Sequence, residues 1–279
     1  MTVVAVAPAG LPAVPEGRYR ATDVARSEWT KLTTVRSTTW SLVATIVLTI
    51  GVGVLTTAVV AFGWHHLNRG FKHQFDPVRW SLTGLFFGQL TLGVLGVLVV
   101  TGEYGTGTIR STLTAAPNRL LVLAAKIAVL AAVVLTVSEA LMFFTFFIGQ
   151  AILAGHAPHA SIGQPGVARA VVSGGLYITL LALLAMGLAS IIRHTAGALS
   201  VFAGIVYILP VLLQFFPSSV ANTVGRFVPA QIGAIATSVN AKGFVGDHTF
   251  APWAGLLVLA GYAAATLLVG GWLMYRRDA

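Results

Sequence analysis

Six stretches of the chain are long, apolar and almost free of charge: residues 40–62, 82–101, 121–153, 170–192, 196–216 and 253–275. A helix rises about 1.5 Å per residue, so about 20 apolar residues cross the hydrocarbon of a bilayer. Each stretch is long enough, and only the third carries charges, Lys126 and Glu139. Inside lipid every backbone amide must find its partner within the segment, which leaves the helix as the economical solution. These stretches therefore predict an all-α, polytopic membrane protein with six transmembrane helices, residues 21–279 forming one transmembrane domain. Composition agrees. Only 9% of the residues are charged, against about 25% in soluble domains, too few to cover a water-facing surface. The chain has no cysteine, which excludes a disulfide framework and thiolate metal sites.

Residues 1–20 are broken by Pro8, Pro12 and Pro15. They lack the basic start and unbroken apolar core of a signal peptide, and are read as a disordered tail. Residues 22–36 differ. Ala21, Val24, Ala25, Trp29, Leu32 and Val35 recur at spacings of three and four, with Arg26, Glu28 and Lys31 beside or opposite that stripe. This is the pattern of a basic amphipathic helix lying flat in a membrane interface, capped by Thr22 or Asp23. The net charge is +9, but the basic residues sit at helix ends rather than on one face, which points to anionic lipid headgroups and not to nucleic acid. With an internal N-terminus, eleven of the 17 Lys and Arg residues fall on the inner side. That bias predicts a multi-pass protein of the plasma (inner) membrane with both termini cytoplasmic.

Between the second and third spans, residues 102–126 (GEYGTGTIRSTLTAAPNRLLVLAAK) supply Glu103, Arg110, Arg119, Lys126 and five hydroxyl side chains. A plain turn needs far less. A short helix over 106–115 would bring Ile109 and Leu113 together with Arg110 beside them, and Pro117 suits the first turn of the next helix. Such a helix fits a cleft on a soluble partner; the plainer alternative is a solvated turn. Lys126 either returns its ammonium to the interface along its own stem or pairs with Glu103 across the hairpin.

Glu139 is the one acid deep in a span, where an ionised side chain costs on the order of 3 kcal/mol or more. It is either a proton or substrate contact, or a neutral structural residue. His65, His66 and His73 share one loop, but adjacent histidines diverge on a regular backbone and no carboxylate is spaced to join them, so a wet loop is the better reading. Gly84 and Gly88, and Ala185 and Ala189, have the small-xxx-small spacing of close helix packing. Pro210 predicts a kink in the fifth span, and residues 217–252 predict a short helix dipping into the outer leaflet. No GxxxxGK[ST], HExxH or GxSxG motif is present, and no span carries two neighbouring carboxylates. The chain therefore reads as a transport subunit and not an enzyme, with no cofactor or metal of its own.

Glu103-Tyr104, the run Gly107-Thr108-Ile109-Arg110, the run 115–119 ending in Arg119, and Lys126 together resemble the membrane subunits, or permeases, of type-2 ATP-binding-cassette exporters. Leu92 to Val97, Arg26-x-Glu28-x-x-Lys31 and Arg193-x-Thr195-Ala196-Gly197 fit the same resemblance. The abundance of Ala, Val and Gly and the 13 Arg against 4 Lys suit a GC-rich bacterial, actinobacterial source. The resemblance implies that two such subunits, a second copy or a paralogue, pair in the membrane. Each would dock a cytoplasmic ATPase subunit that binds ATP and Mg. The 2–3 segment would be the coupling helix, residues 22–36 the connecting helix, and the loop after the fifth span would hold re-entrant helices closing the outer gate. Gly105 and Gly107 would loosen a helix by about 1 kcal/mol each, so coupling would begin at Gly107 or Thr108. Two other classes are a proton-coupled secondary transporter using Glu139, and a non-transporting membrane anchor or immunity protein.

Overall fold

The computed structural model describes residues 20–108, 118–239 and 249–276, all helical or connecting, with no strand among them. Helix α1 (Ala21–Thr34) joins α2 (Arg36–Gly63) through Val35 alone, which is extended. A 3-10 turn and two short helices, α3 (Arg69–His73) and α4 (Pro77–Ser81), lead to α5 (Leu85–Thr106). Then come α6 (Arg119–Leu153) and α7 (Val167–Ile192). The fifth span is composite: α8 (Thr195–Ala203), a π-helical turn Gly204–Ile208, and α9 (Leu209–Leu213). Helices α10 (Ser218–Gly225) and α11 (Pro229–Ala236) precede α12 (Pro252–Arg276). Six helices are long and apolar enough to cross a membrane, which makes the chain a multi-pass membrane protein.

The packing is that of a protein whose solvent is lipid. The buried residues of α2 include Thr38, Thr45, Thr49, Gly53 and Thr57, while Val43, Val47, Leu55 and Val59 face outward. Small and hydroxylated residues face inward because they let backbones approach and can bond across helices. Thr45 donates to Thr91 at 2.7 Å, and the Thr56 and Thr83 hydroxyls lie 2.8 Å apart. A side chain at Gly84 would collide with the Thr49 carbonyl, and one at Gly88 with the Thr49 hydroxyl. The Gly84/Gly88 pair is thus where α2 meets α5. Helix α7 is the centre of the bundle, packed against α5, α6 and α12. Of its apolar window 67% is buried, against 17% for the fifth span, whose flank is open.

Local chemistry sets the ends. Gly107, at φ 72°, takes the left-handed position that closes α5, its N–H bonding to the Tyr104 carbonyl. Asn118 caps α6 by accepting from the Leu121 N–H at 3.1 Å. The π turn ends at Ile208, two residues before Pro210, which has no N–H to continue the α ladder. At the end of the bundle away from α1, Asp76 Oδ1 caps α4 and Asp76 Oδ2 accepts from the Val239 N–H at 3.0 Å. There Gln150 Nε2 donates to the Pro77 carbonyl and the Ser81 hydroxyl. Arg169 donates to the carbonyls of Ala236 and Ser238. This network ties α4, α6, α7 and the segment after α11 together.

Several expectations need correction. The second span begins later than residue 82 and continues past 101 to Thr106, because Glu103 in its last turns is held by two lysines. Thr106 therefore ends a helix rather than starting one. Helix α6 starts at Arg119 with Asn118 as its cap, so position 117 is not in its first turn. Helix α1 begins at Ala21 after Arg20, with no side-chain cap from Thr22 or Asp23. Its buried face is Val24, Glu28 and Leu32, while Trp29 is 51% exposed. Ion pairing draws Glu28 inward and leaves Trp29 outside. Ile109, Arg110 and the rest of 109–117 lie outside the described residues, as does the tail 1–19. The loop after the fifth span does contain two helices, and α11 packs on α12 and α7.

Candidate functional site

Four charged side chains from three elements converge at one end of the bundle. Glu28 and Lys31 stand one turn apart on α1, Glu103 lies in the last turns of α5, and Lys126 lies two turns into α6. Lys126 Nζ is 2.6 Å from Glu28 Oε2 and 2.6 Å from Glu103 Oε1. Lys31 Nζ is 2.7 Å from Glu28 Oε1 and 2.8 Å from the same Glu103 Oε1. The result is a closed ring of alternating sign: Glu28, Lys126, Glu103, Lys31.

Burial decides what the ring is worth. The side chains of Glu28, Lys126 and Glu103 are 3%, 6% and 12% exposed, so their charges are desolvated and depend on one another. Lys31 is 37% exposed. Burial pulls its ammonium down, but the hydrogen bonds to Glu103 and Glu28 outweigh that, and Lys31 is held above the ordinary lysine range. Of the two sequence readings of Lys126, pairing with Glu103 is the one the geometry shows, and Glu28 is a second partner that the hairpin alone did not suggest. A signal for it existed: Glu28 lies four residues from both Val24 and Leu32, on the inward face.

A second set of contacts lies beside the ring. The Arg193 guanidinium is 5.2 Å from the centre of the Tyr104 ring and donates to the Leu273 carbonyl at 3.1 Å. Arg119 Nη1 donates to the Met274 carbonyl at 2.9 Å. Both arginines thus bind carbonyls in the last described turns of α12, where a positive charge also complements the helix dipole. Arg193 adopts φ 58° to do so. Among the residues singled out from sequence, Glu103 and Lys126 join the ring, and Tyr104 and Arg119 join the α12 cap. Gly107 and Thr108 follow directly on α5, Thr108 exposed with its hydroxyl 2.9 Å from that of Thr106. Arg26 and Trp29 are exposed on α1, outside the ring.

No protein-family model matches the chain, and no curated protein matches it.

A cavity of about 500 Å³ opens beside the ring, walled by Leu32, Val35, Leu98 and Val99 and floored by the charges. The four ring charges are paired with one another, and of the site's carboxylate oxygens only Glu103 Oε2 lacks a hydrogen-bond partner. What it does mechanically is clear. It fastens α1, which precedes the first span, to the two spans flanking residues 109–117, and the α12 cap fastens the last span to the same place.

Proposed function

We propose that this chain is the membrane subunit of a type-2 ATP-binding-cassette exporter, forming the export pathway while a separate cytoplasmic subunit binds and hydrolyses ATP with Mg. The observation that carries the reading is the Glu28–Lys126–Glu103–Lys31 ring. A motor pushing on the segment between α5 and α6 needs a rigid coupling to the transmembrane helices. The ring, with the α12 cap, supplies it at both ends of that segment and extends it to α1. In this reading α1 is the connecting helix at the cytoplasmic interface, Trp29 and Arg26 face lipid headgroups, and residues 106–119 dock on the ATPase through Ile109 and Arg110. Helices α10 and α11 form the re-entrant pair. The open flank of the fifth span faces a second permease copy or paralogue in the plasma membrane, with both termini cytoplasmic.

The test is purification of the tagged full chain from its native membrane, with assay of vanadate-sensitive ATPase activity in the complex. Arg110→Glu should insert normally, retain its unfolding temperature and lose the associated ATPase. Intact wild-type particles carrying no ATPase, or an Arg110→Glu variant with undiminished ATPase, would refute the reading.

A further inference from the structure

Glu139 takes no part in the ring. It lies thirteen residues beyond Lys126 on α6, about 20 Å further along the helix axis, well inside the third span, Arg119–Leu153. Its carboxyl group presses against α7 at Gly175, where any side chain would collide with it. Glycine thus provides a notch shaped to the acid. The side chain is only partly buried. Its Oε2 is enclosed and has no hydrogen-bond partner, and none of the ion pairs among the described residues includes it.

No charge from the surrounding helices reaches it. On α7 the one charged residue, Arg169, is six positions from Gly175 and donates to the Ala236 and Ser238 carbonyls. Tyr177 on the same helix donates to Gln89 at 2.8 Å. Helix α2 carries only Arg36, at its first position, and α4 only Arg79. The charged residues of α1, α5 and α12 lie at the ring end of the bundle, and Tyr262 on α12 is a neutral phenol that donates to the Phe227 carbonyl.

The helix face that carries Glu139 is otherwise apolar and aromatic. Glu139, Phe143 and Phe147 follow at intervals of four and share one helix face. The two rings are stacked with centres 6.5 Å apart, and Phe147 is 53% exposed. Leu135, one turn to the other side, is 37% exposed. An unpaired carboxylate is costly in hydrocarbon, so the group keeps its proton until a positive charge replaces it. Aromatic faces attract such a charge, most strongly where water is excluded.

We propose that Glu139, the Phe143–Phe147 pair and the Gly175 notch form a site for a lipophilic organic cation entering sideways from the bilayer, and that the cation displaces a proton from the Glu139 carboxyl group. The acid loses one proton and the cation takes its place as counter-charge, so the site stays neutral. The site does not rest on the ATPase reading, since binding needs no nucleotide and no second subunit.

The experiment uses the full chain in lipid nanodiscs, with tetraphenylphosphonium as the probe and empty nanodiscs as the blank. One saturable site is expected, tightening up to tenfold per pH unit while the acid is protonated, with about one proton released per cation in weak buffer. Glu139→Gln has the shape and neutrality of the protonated acid and should keep the unfolding temperature, but lose both saturable binding and proton release. Phe147→Ala should weaken binding several-fold. A hydrophobic carbodiimide should label Glu139 in the wild-type protein, and the cation should protect it, a readout that needs no variant. Equal binding by Glu139→Gln, equal binding of uncharged tetraphenylmethane, absence of proton release, or labelling that the cation leaves unchanged would each overturn the proposal.

Discussion

Lys126 and Glu28 are 98 positions apart in sequence and 2.6 Å apart in space. The bond ties the helix that precedes the first span to the third span, and both side chains are almost fully buried. Breaking a buried pair by deleting one partner strands the other charge, at a cost of about 3–5 kcal/mol. Lys126→Ala leaves two buried carboxylates sharing the single ammonium of Lys31 and should fall within that range. Lys31→Ala, at the half-exposed corner of the ring, should cost far less. Thermal unfolding of the two variants in nanodiscs gives the comparison, and equal losses would contradict the burial order of the ring.

The ring also predicts which charge swaps restore stability. Exchanging Glu103 and Lys126 keeps their mutual attraction but sets the new Glu beside Glu28 and the new Lys beside Lys31. Rescue by that double swap should be incomplete. Reversing all four charges restores every neighbour, and should recover more of the stability than any two-residue swap. Full rescue by the Glu103/Lys126 exchange alone would mean that Glu28 and Lys31 contribute nothing.

Lys31 gives a pH dependence of known sign. Its ammonium is held above the ordinary value of 10.5 in the folded protein. A raised pKa contributes stability that is complete below the unfolded value and disappears as pH climbs through the folded one. Wild-type protein should therefore lose stability in the strongly alkaline range more steeply than Lys31→Met. Parallel unfolding curves above pH 10.5 would refute this.

Glycines in the same helix should behave oppositely. Gly102 on α5 has open space where a Cβ would stand, whereas a Cβ at Gly96 would collide with the Ala182 carbonyl of α7. Gly102→Ala should be neutral or stabilise by up to about 1 kcal/mol. Gly96→Ala must push two helices apart and should destabilise by about 1–3 kcal/mol or more. Unfolding temperatures of the two proteins test the pair.

At Arg193 the left-handed backbone and the cap to Leu273 make separate demands. Arg193→Ala loses the guanidinium and keeps the strained φ. Arg193→Gly loses the same contacts but relieves the backbone, by about 1–2 kcal/mol. The glycine variant should be the more stable of the two, and both should be less stable than wild type.

The number and length of the spans were legible in the chain because a bilayer imposes a crude, local requirement: an unbroken apolar stretch of sufficient length. All six long apolar segments became helices for that reason. The polar excess of residues 102–126 was legible too, since Glu103 and Lys126 stand out against an uncharged background. Which way α1 turns was not. The apolar stripe put Trp29 on the side that meets the membrane interface, with Glu28 beside or opposite it, and did not say what Glu28 would meet. In lipid the surroundings are themselves apolar, and a tryptophan gains little by leaving them. Charges gain most by finding one another, so Glu28 went in and Trp29 stayed out. Span length and the scarcity of charge were enough to read a helical membrane protein with a charged hinge. That Glu28, Lys31, Glu103 and Lys126 close into one ring, and that Glu139 lies against Gly175 outside every ion pair among the described residues, is visible only once the helices are packed. Each outcome depends on which helices become neighbours, and that is set by the contacts of small residues far apart in the chain.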